Sequence, residues 1–506
     1  MKNFTLLLVF FLALTLRVYH LGVLPNGFYE EEVTNAYVGR FIFENGRDLY
    51  GNWFPLLYFD KFGDFPPVLP MYVSGLSTYF FGLTEFAARF PTAFIGALAV
   101  FPIFGLAYFF FKDKRAGFMA SLLLAITPWH VVLSRTSAEG VIGFTAFTYG
   151  LLWVLTKKRY GFLLLFLCYF LYPGLRLIIP LALLPFIKKY FKPTLFLFFL
   201  TALIAITPWG KGRFVQTSLF NNSEMRQQIT QTQQNFLYTT KNPYARVFHN
   251  KVVGYAREFV NQFTSYFSPR HLFLEAGGQP RYFSVPAQGL LYITMGVLIV
   301  ISFIGGVFWY IAYLLLVTPL PAVLTVDFVP HAHRSLFLLL PMILLAALGY
   351  KYIHKIKFIP VIFLLALLVE GIFFWHQYAN YSDSYHSILR NDGDKELAQY
   401  LIREQAAYEK IIMPPFARLP IYYLYFSGNF DVSLIGQFQS QLQMKRLGKI
   451  DFASDWCPTK FLNKSEIPSS TLIVENGDCG GTLGYRGIEQ IMRLDSTRAY
   501  NLVIPE

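Results

Sequence analysis

The chain has 506 residues, of which 55% are hydrophobic and only 14% charged, a balance that excludes both a string of soluble domains and a disordered polymer. A formal charge of +13 would suit a nucleic-acid partner, but the basic residues gather in short clusters between long apolar runs. That patterning excludes nucleic acid and points to a polytopic membrane protein.

The first apolar run, at 4–21, follows Lys2 and is not followed by a small-residue cleavage site, so it is expected to be a retained helix rather than a signal peptide. Further spans are expected near 89–111, 116–129, 138–156, 161–173, 174–187, 193–209, 286–304, 308–326, 335–350 and 358–375. Each supplies much of the roughly 20 apolar residues that fill a bilayer core. The clusters "KDKR" (112–115), "KKR" (157–159), "KKYFK" (188–192) and "KYIHKIK" (351–357) separate these runs and are assigned to cytoplasmic loops. If the stretch 68–82 also crossed, every later cluster would be inverted. It is therefore expected to lie along the outer interface.

Eleven crossings put the N-terminus in the cytoplasm and the C-terminus outside the plasma membrane. The outer face then receives loops at 22–88 and 210–285 and a tail at 376–506. The expected fold class is an α-helical polytopic membrane protein, with a transmembrane domain at 1–375 and a small extracytoplasmic α/β domain at 376–506. In the tail, "DKELAQYLIREQAAYEKI" has helical spacing, while "IYYLYFSG" and "STLIVENG" have strand character. Cys168 falls in a span, whereas Cys457 and Cys479 both lie in the tail and either bridge or rest as buried thiols. "GGTLG" (480–484) reads as a turn. The chain has no CxxC or HExxH pattern, so no metal site is expected and no cofactor is called for.

Polar residues at the outer ends of the spans carry the functional signal. The first loop has Glu30, Glu31, Glu32, Lys61, Asp64 and Arg89. "PWHVVLSRTSAEG" adds His130, Arg135 and Glu139; "YPGLR" adds Tyr172 and Arg176; "DFVPHAHR" adds Asp327, His331, His333 and Arg334. Singly, each has a plain structural explanation: an arginine anchors headgroups, a glutamate run is a solvated loop, a histidine fills a core. Together, at one depth, they suit chemistry on a lipid phosphate, because charges beside spans are costly and are usually paired and functional. A carboxylate serves as general base toward a hydroxyl or amine, and arginines clamp phosphate through bidentate bonds.

The order of these motifs resembles that of the bacterial protein O-mannosyltransferase-like (family 39) glycosyltransferases of the GT-C class. "PNGFYEEEVTNAYVGRFIFENGRDLYGN" (25–52) aligns without a gap and lays Glu31 and Glu32 on the family's Asp-Glu pair. "FGDFPPVLPMY" (62–72), "RFPTA" (89–93), the 128–139 segment, 172–181 and "PHAHR" (330–334) follow in the family's order, and "YEKIIMPPFARLPIYYLYF" is similar to its outer domain. The resemblance implies a GT-C fold and an inverting hexosyl- or pentosyltransferase. It implies a polyprenyl-phosphate-linked sugar donor, and a protein or a cell-envelope glycolipid as acceptor, alongside the surrounding membrane lipids. Glu31 would be the base and Glu32 would orient it or the sugar. Lys61, Asp64, Arg89, His130, Arg135, Glu139, Tyr172, Arg176, His331 and Arg334 would serve substrate binding.

Two departures stand out. Glu31 replaces the family's aspartate, and Pro66 stands where the family has a lysine, leaving Lys61 or Arg334 to supply the missing cation. The rival readings are a lipid or sugar flippase and a weakened pseudoenzyme with a binding role. A transporter ordinarily shows internal repeats or paired broken helices, and neither is seen in the sequence.

Overall fold

The structure, a computed structural model, describes residues 2–208, 210, 218–240, 244–276, 283–326, 328–463, 467–480 and 484–506. Asp327 and most of the "GGTLG" stretch lie outside the described residues. The chain divides into two compact units. One comprises Met1–Arg17, Phe94–Ser134 and Ala138–Gln377; the other comprises Val18–Ala93, Arg135–Ser137 and Tyr378–Glu506.

The first unit holds most of the apolar helices, together with the polar helices Ser223–Thr240 and Lys251–Ser265. Among the described residues Glu85–Phe111, Leu336–Ile353 and Ile359–Asn380 are long and apolar enough to cross a membrane. Lys114–Ile126 and Pro128–Ser134 are together long and apolar enough to cross, but are bent by 53°, the form of a broken span or a re-entrant loop. The bend falls at Pro128, whose ring cannot continue the hydrogen-bond ladder. Shorter apolar helices run over Phe4–Val18, Glu139–Leu155, Gly161–Phe170, Leu175–Phe186, Phe191–Ile206, Ile293–Gly305 and Trp309–Val323. Every span expected from the sequence falls on one of these helices. Burial sorts them: Leu336–Ile353 is 78% buried and so central, whereas Ile359–Asn380 is 11% buried and turns its apolar surface outward.

In the second unit the three adjacent glutamates prove to be a helix start. Glu30, Glu31 and Glu32 form the first turn of the helix Glu30–Asn45, where acidic side chains meet the positive end of the helix dipole. Gly46 ends it in the left-handed conformation, at φ 68°. The 68–82 stretch forms the helix Leu69–Phe81. The two helices touch backbone to backbone: a Cβ on Gly39 would fall 1.8 Å from the Met71 carbonyl oxygen, and one on Gly75 would fall 2.1 Å from the Gly39 carbonyl carbon. The opposite face of Leu69–Phe81 exposes Leu76, Tyr79, Phe80 and Phe81, the surface an interfacial helix needs.

The tail contributes a six-stranded sheet in the order β2-β3-β1-β4-β6-β5. Its strands are β1 (Lys410–Met413), β2 (Arg446–Leu447), β3 (Ile450–Phe452), β4 (Thr471–Asn476), β5 (Tyr485–Met492) and β6 (Arg498–Pro505). β1 pairs in parallel with β3 and β4, and the remaining pairings are antiparallel. The strand expected at "STLIVENG" is β4, with Thr471–Glu475 buried as befits a central strand. "DKELAQYLIREQAAYEKI" is helical over Asp394–Glu404 and then turns into β1.

"IYYLYFSG" corrects the strand expectation. It belongs to the helix Arg418–Ser427, closed by Gly428 at φ 68°. Its aromatic and β-branched composition favours a strand, but Leu419, Ile421, Tyr422, Leu424 and Tyr425 are buried at helical spacing. Tyr422 donates to the Phe28 carbonyl, and the Tyr425 hydroxyl donates to the Thr84 carbonyl at 3.0 Å. Packing outweighs propensity here. Cys457 and Cys479 form a disulfide, which resolves the pair in favour of a bridge, and Cys168 is a buried thiol.

Candidate functional site

Glu32 is a buried carboxylate of the second unit, with 1% of its surface exposed. Arg89 grips it in a fork, Nε to Oε1 at 3.1 Å and Nη2 to Oε2 at 2.9 Å. Arg390 Nη2 donates to Oε2 at 3.2 Å. The backbone N–H groups of Tyr29 and Ser137 complete the shell at 3.1 and 3.3 Å. A carboxylate accepting from two guanidiniums and two amides has no lone pair left with which to take a substrate proton. Its geometry makes it the anchor of the helix start.

Arg89 is equally committed. Its remaining N–H groups donate to the carbonyls of Leu21, Pro25 and Gly27 at 2.6 to 3.1 Å, so it gathers residues 21–27 beneath the glutamates. Arg390 adds a bond from Nε to the Asn26 carbonyl at 2.7 Å.

Glu31, one residue back, has a different environment. Its side chain is 34% exposed and pairs with the buried ammonium of Lys61. Lys61 Nζ also lies 3.1 Å from Asn35 Oδ1, one turn further along the same helix. The lysine is delivered by a tight turn in which Lys61 and Asp64 exchange both backbone hydrogen bonds, at 2.8 and 2.9 Å. Phe62 and Gly63 sit at its centre with φ of 55° and 85°, positive at both positions as in a type I′ hairpin turn. The Asp64 carboxylate accepts the Phe65 N–H at 2.9 Å, so Asp64 shapes the turn that presents the lysine.

Glu30 completes the row. Its N–H donates to Asn391 Oδ1 at 2.9 Å, and its carboxylate lies 4.0 Å from Arg418 Nη1. Burial pushes the Glu30 carboxyl up to about 7, against the opposing pull of the Arg418 cation. Arg418 binds Asp394 more closely, Nε to Oδ2 at 2.6 Å, and Tyr500 donates to the other Asp394 oxygen at 2.6 Å. Arg390, Asn391, Asp394 and Arg418 were not among the residues singled out from the sequence; more than 350 positions separate them from the glutamates they serve, and no local spacing marks them.

Arg135 also belongs to this unit. Its Nη2 donates to the carbonyls of Tyr19 and Leu24 at 2.7 and 2.8 Å, and its Nε to the Tyr378 hydroxyl at 3.3 Å. It is fully buried, so its guanidinium is spent on the chain itself.

The other expected residues lie in the helical unit. His130 is buried, with Nδ1 2.9 Å from Arg17 Nη2 and 3.0 Å from Ser134 Oγ. Arginine can only donate, so Nδ1 accepts and the proton resides on Nε2. Glu139 opens the helix Glu139–Leu155, whose Gly140 N–H donates to His333 Nε2 at 3.1 Å. The Tyr172 ring lies 5.4 Å from His333, whose ring centroid is 6.4 Å from that of His331. The Arg334 N–H donates to His331 Nδ1 at 3.4 Å. Burial and the Arg334 cation hold His331 well below its usual range, so its ring is neutral. Arg176 Nε donates to the Tyr169 carbonyl at 3.1 Å. Thus Tyr172, His331, His333 and the Arg334 backbone gather at the start of the helix Glu139–Leu155, whereas His130 is tied to Arg17.

The first-loop glutamates, Lys61, Arg89, Arg135 and Glu139 all fall inside one matched segment. Residues 7–158 match the family model described as dolichyl-phosphate-mannose-protein mannosyltransferase. The family resemblance read from the motifs is borne out over that region. Two solved structures are similar to nearly the full chain. The crystal structure of ArnT from Cupriavidus metallidurans bound to undecaprenyl phosphate aligns at TM-score 0.49 and 13% identity, covering 99% of this chain and 97% of that one. The apo state of the same enzyme aligns at TM-score 0.42 and 15% identity, covering 98% and 96%. At this distance the alignments transfer no residue roles. Among curated proteins nothing matches.

Proposed function

We propose that the protein is an integral-membrane glycosyltransferase of GT-C type that moves a monosaccharide from a polyprenyl-phosphate donor to a hydroxyl of a protein or cell-envelope glycolipid. The observation that carries this is the division of labour between adjacent carboxylates. Glu32 is locked by Arg89 and Arg390, while Glu31 is partly exposed beside the Lys61 ammonium. A general base needs access to the acceptor proton, and Glu31 has it. Glu31 takes that proton as the acceptor oxygen attacks the anomeric carbon from the side opposite the phosphate. The bond to the phosphate oxygen breaks, and the sugar configuration inverts.

Lys61 supplies a cation for the leaving phosphate. It takes over the task of the lysine that Pro66 displaces, with the 61–64 turn bringing it to the glutamates. Arg176 and Arg334 are retained as phosphate ligands on the sequence grounds above. The loops at 22–88 and 210–285 and the tail face outward from the plasma membrane, and the N-terminus is cytoplasmic.

The test is incubation of the purified protein with a radiolabelled polyprenyl-phosphate sugar and membrane extract, followed by tracing the label. Label should pass to a protein or glycolipid acceptor. Glu31→Gln should slow that transfer by about 10²–10⁴-fold, the usual contribution of a positioned base. Transfer at the parental rate by Glu31→Gln would rule Glu31 out as the base.

A further inference from the structure

The basic ends of the apolar helices hold a cavity that the proposed chemistry does not use. It has a volume of about 250 Å³ and is walled by Phe109, Phe110, Phe186, Trp309 and Tyr310, with Lys189 at its edge. At about 30 Å³ per water-sized group, that is room for about eight such groups, the size of half an acyl chain. The walls are mutually packed and do not need a ligand to stand: Phe186 and Tyr310 rings lie 5.0 Å apart, Phe110 and Tyr310 rings 5.9 Å apart, and the Tyr310 hydroxyl donates to the Ala182 carbonyl at 2.9 Å.

The rim has one sign of charge. Lys189 Nζ lies 4.7 Å from the Tyr190 ring and Lys112 Nζ 4.8 Å from the Phe109 ring, so both ammoniums rest on aromatic residues that line the cavity. "KKR" at 157–159 begins two residues after the lining residue Leu155. In these loops Asp113 is the single acid, and its carboxylate already accepts the Arg115 N–H at 2.8 Å as a helix cap. An apolar slot beneath a cationic rim complements an acyl chain carrying an anionic headgroup.

We propose that this cavity is a binding site for an anionic glycerophospholipid, one acyl chain entering among the aromatic rings while the phosphate meets Lys189 and its basic neighbours. In the proposed orientation this is the cytoplasmic leaflet, and none of the lining residues takes part in the proposed transfer chemistry. The site is therefore independent of whether that chemistry is correctly assigned.

Trp309, on the cavity wall and 63% exposed, is a built-in reporter. The full chain would be reconstituted into phosphatidylcholine vesicles containing a rising fraction of phosphatidylglycerol brominated on its acyl chains. Fluorescence quenching would be compared with that of Trp309→Phe, so that the difference isolates Trp309. Brominated phosphatidylglycerol should quench Trp309 at a lower mole fraction than brominated phosphatidylcholine. Lys189→Gln, a change at an exposed position, should shift the phosphatidylglycerol curve by about fivefold, as one juxtamembrane lysine is worth. Equal quenching by the two lipids, or superimposable curves for Lys189→Gln and its parent, would reduce the cavity to ordinary bilayer contact and overturn the proposal. Release of the quenching by inorganic phosphate alone would overturn it as well, since the acyl chain would then contribute nothing. So would displacement by polyprenyl phosphate at lower mole fraction than by unbrominated phosphatidylglycerol, which would name a different occupant.

Discussion

Three neighbouring glutamates, chemically identical, are given three different fates by what lies within 4 Å of each. Glu32 is buried between Arg89 and Arg390, so Glu32→Gln leaves two buried guanidiniums without their shared anion. Breaking a buried pair in this way costs about 3–5 kcal/mol, and the variant should show a lowered thermal midpoint in detergent. A melt equal to that of the parent would mean that the network is dispensable. Glu31→Gln removes the anion of one buried ammonium, Lys61, whose bond to Asn35 remains, so it should lower the melt less than Glu32→Gln does while losing transfer. The two substitutions thus separate scaffold from chemistry.

Glu30 adds a pH dependence. Its carboxyl is raised from 4.5 to about 7, chiefly by burial, so the folded state holds that proton more tightly than the unfolded state. The sign follows: this group's contribution to stability falls as pH rises from about 4.5 to about 7 and is level above that. Glu30→Gln should remove the fall, stabilising the protein by about 1–3 kcal/mol at pH 8 and leaving it unchanged at pH 4.5. Melting curves of the two proteins across this range provide the check; a constant gap between them would assign the effect elsewhere. None of these distinctions was legible in "EEE". The ungapped motif match separated Glu31 and Glu32 from Glu30, but the anchoring of Glu32 depends on an arginine 358 positions away.

At the scale of elements, the helix pair Glu30–Asn45 and Leu69–Phe81 depends on Gly39 facing Gly75. Gly39→Ala would put a methyl 1.8 Å from the Met71 carbonyl oxygen, where only backbone can yield. The helices would have to part, at a cost of about 1–3 kcal/mol or more. Because the first of them carries the glutamates, Gly39→Ala should lower both the melting temperature and the rate of transfer. A parental melt would show that the pair tolerates separation.

The apolar helices were readable because hydropathy over a bilayer-length window is a strong signal, and each expected span found a helix. The "KFGD" turn was readable in part, since Gly63 marks a positive-φ position, although nothing in the sequence showed that the turn would bury Lys61 against Glu31. "IYYLYFSG" misled for a physical reason. Its residues prefer strands, but Pro420 in the first turn, Gly428 after the last, and phenols that reach the Phe28 and Thr84 carbonyls favour a helix.

On the scale of the whole molecule, Val18–Ala93 and Tyr378–Glu506 fold as one unit, with the helix Arg418–Ser427 packed into the core of the first loop. The Cys457–Cys479 bridge closes a loop of 22 residues within it, worth about 3 kcal/mol by loop entropy. Replacing both cysteines by serine should lower the melting temperature of the purified protein, and reduction should have no further effect on the double variant. Identical melts for the parent and the double variant would show that the bridge carries no stability. A disulfide fits an oxidising compartment, the setting that the proposed outward-facing tail calls for.

The Arg390–Glu32 contact has a consequence in time. Ribosomes add about 5–20 residues per second, and 358 positions separate the two partners. The first loop is therefore made about 20–70 s before the arginine that completes it. Throughout that interval Arg89 is the one guanidinium available to Glu32 from this network, and the helix Glu30–Asn45 lacks the aromatic residues of the Arg418–Ser427 helix that later pack against it. Chaperones and proteases meet this immature loop first, and the glutamates acquire their final setting only when the last quarter of the chain arrives.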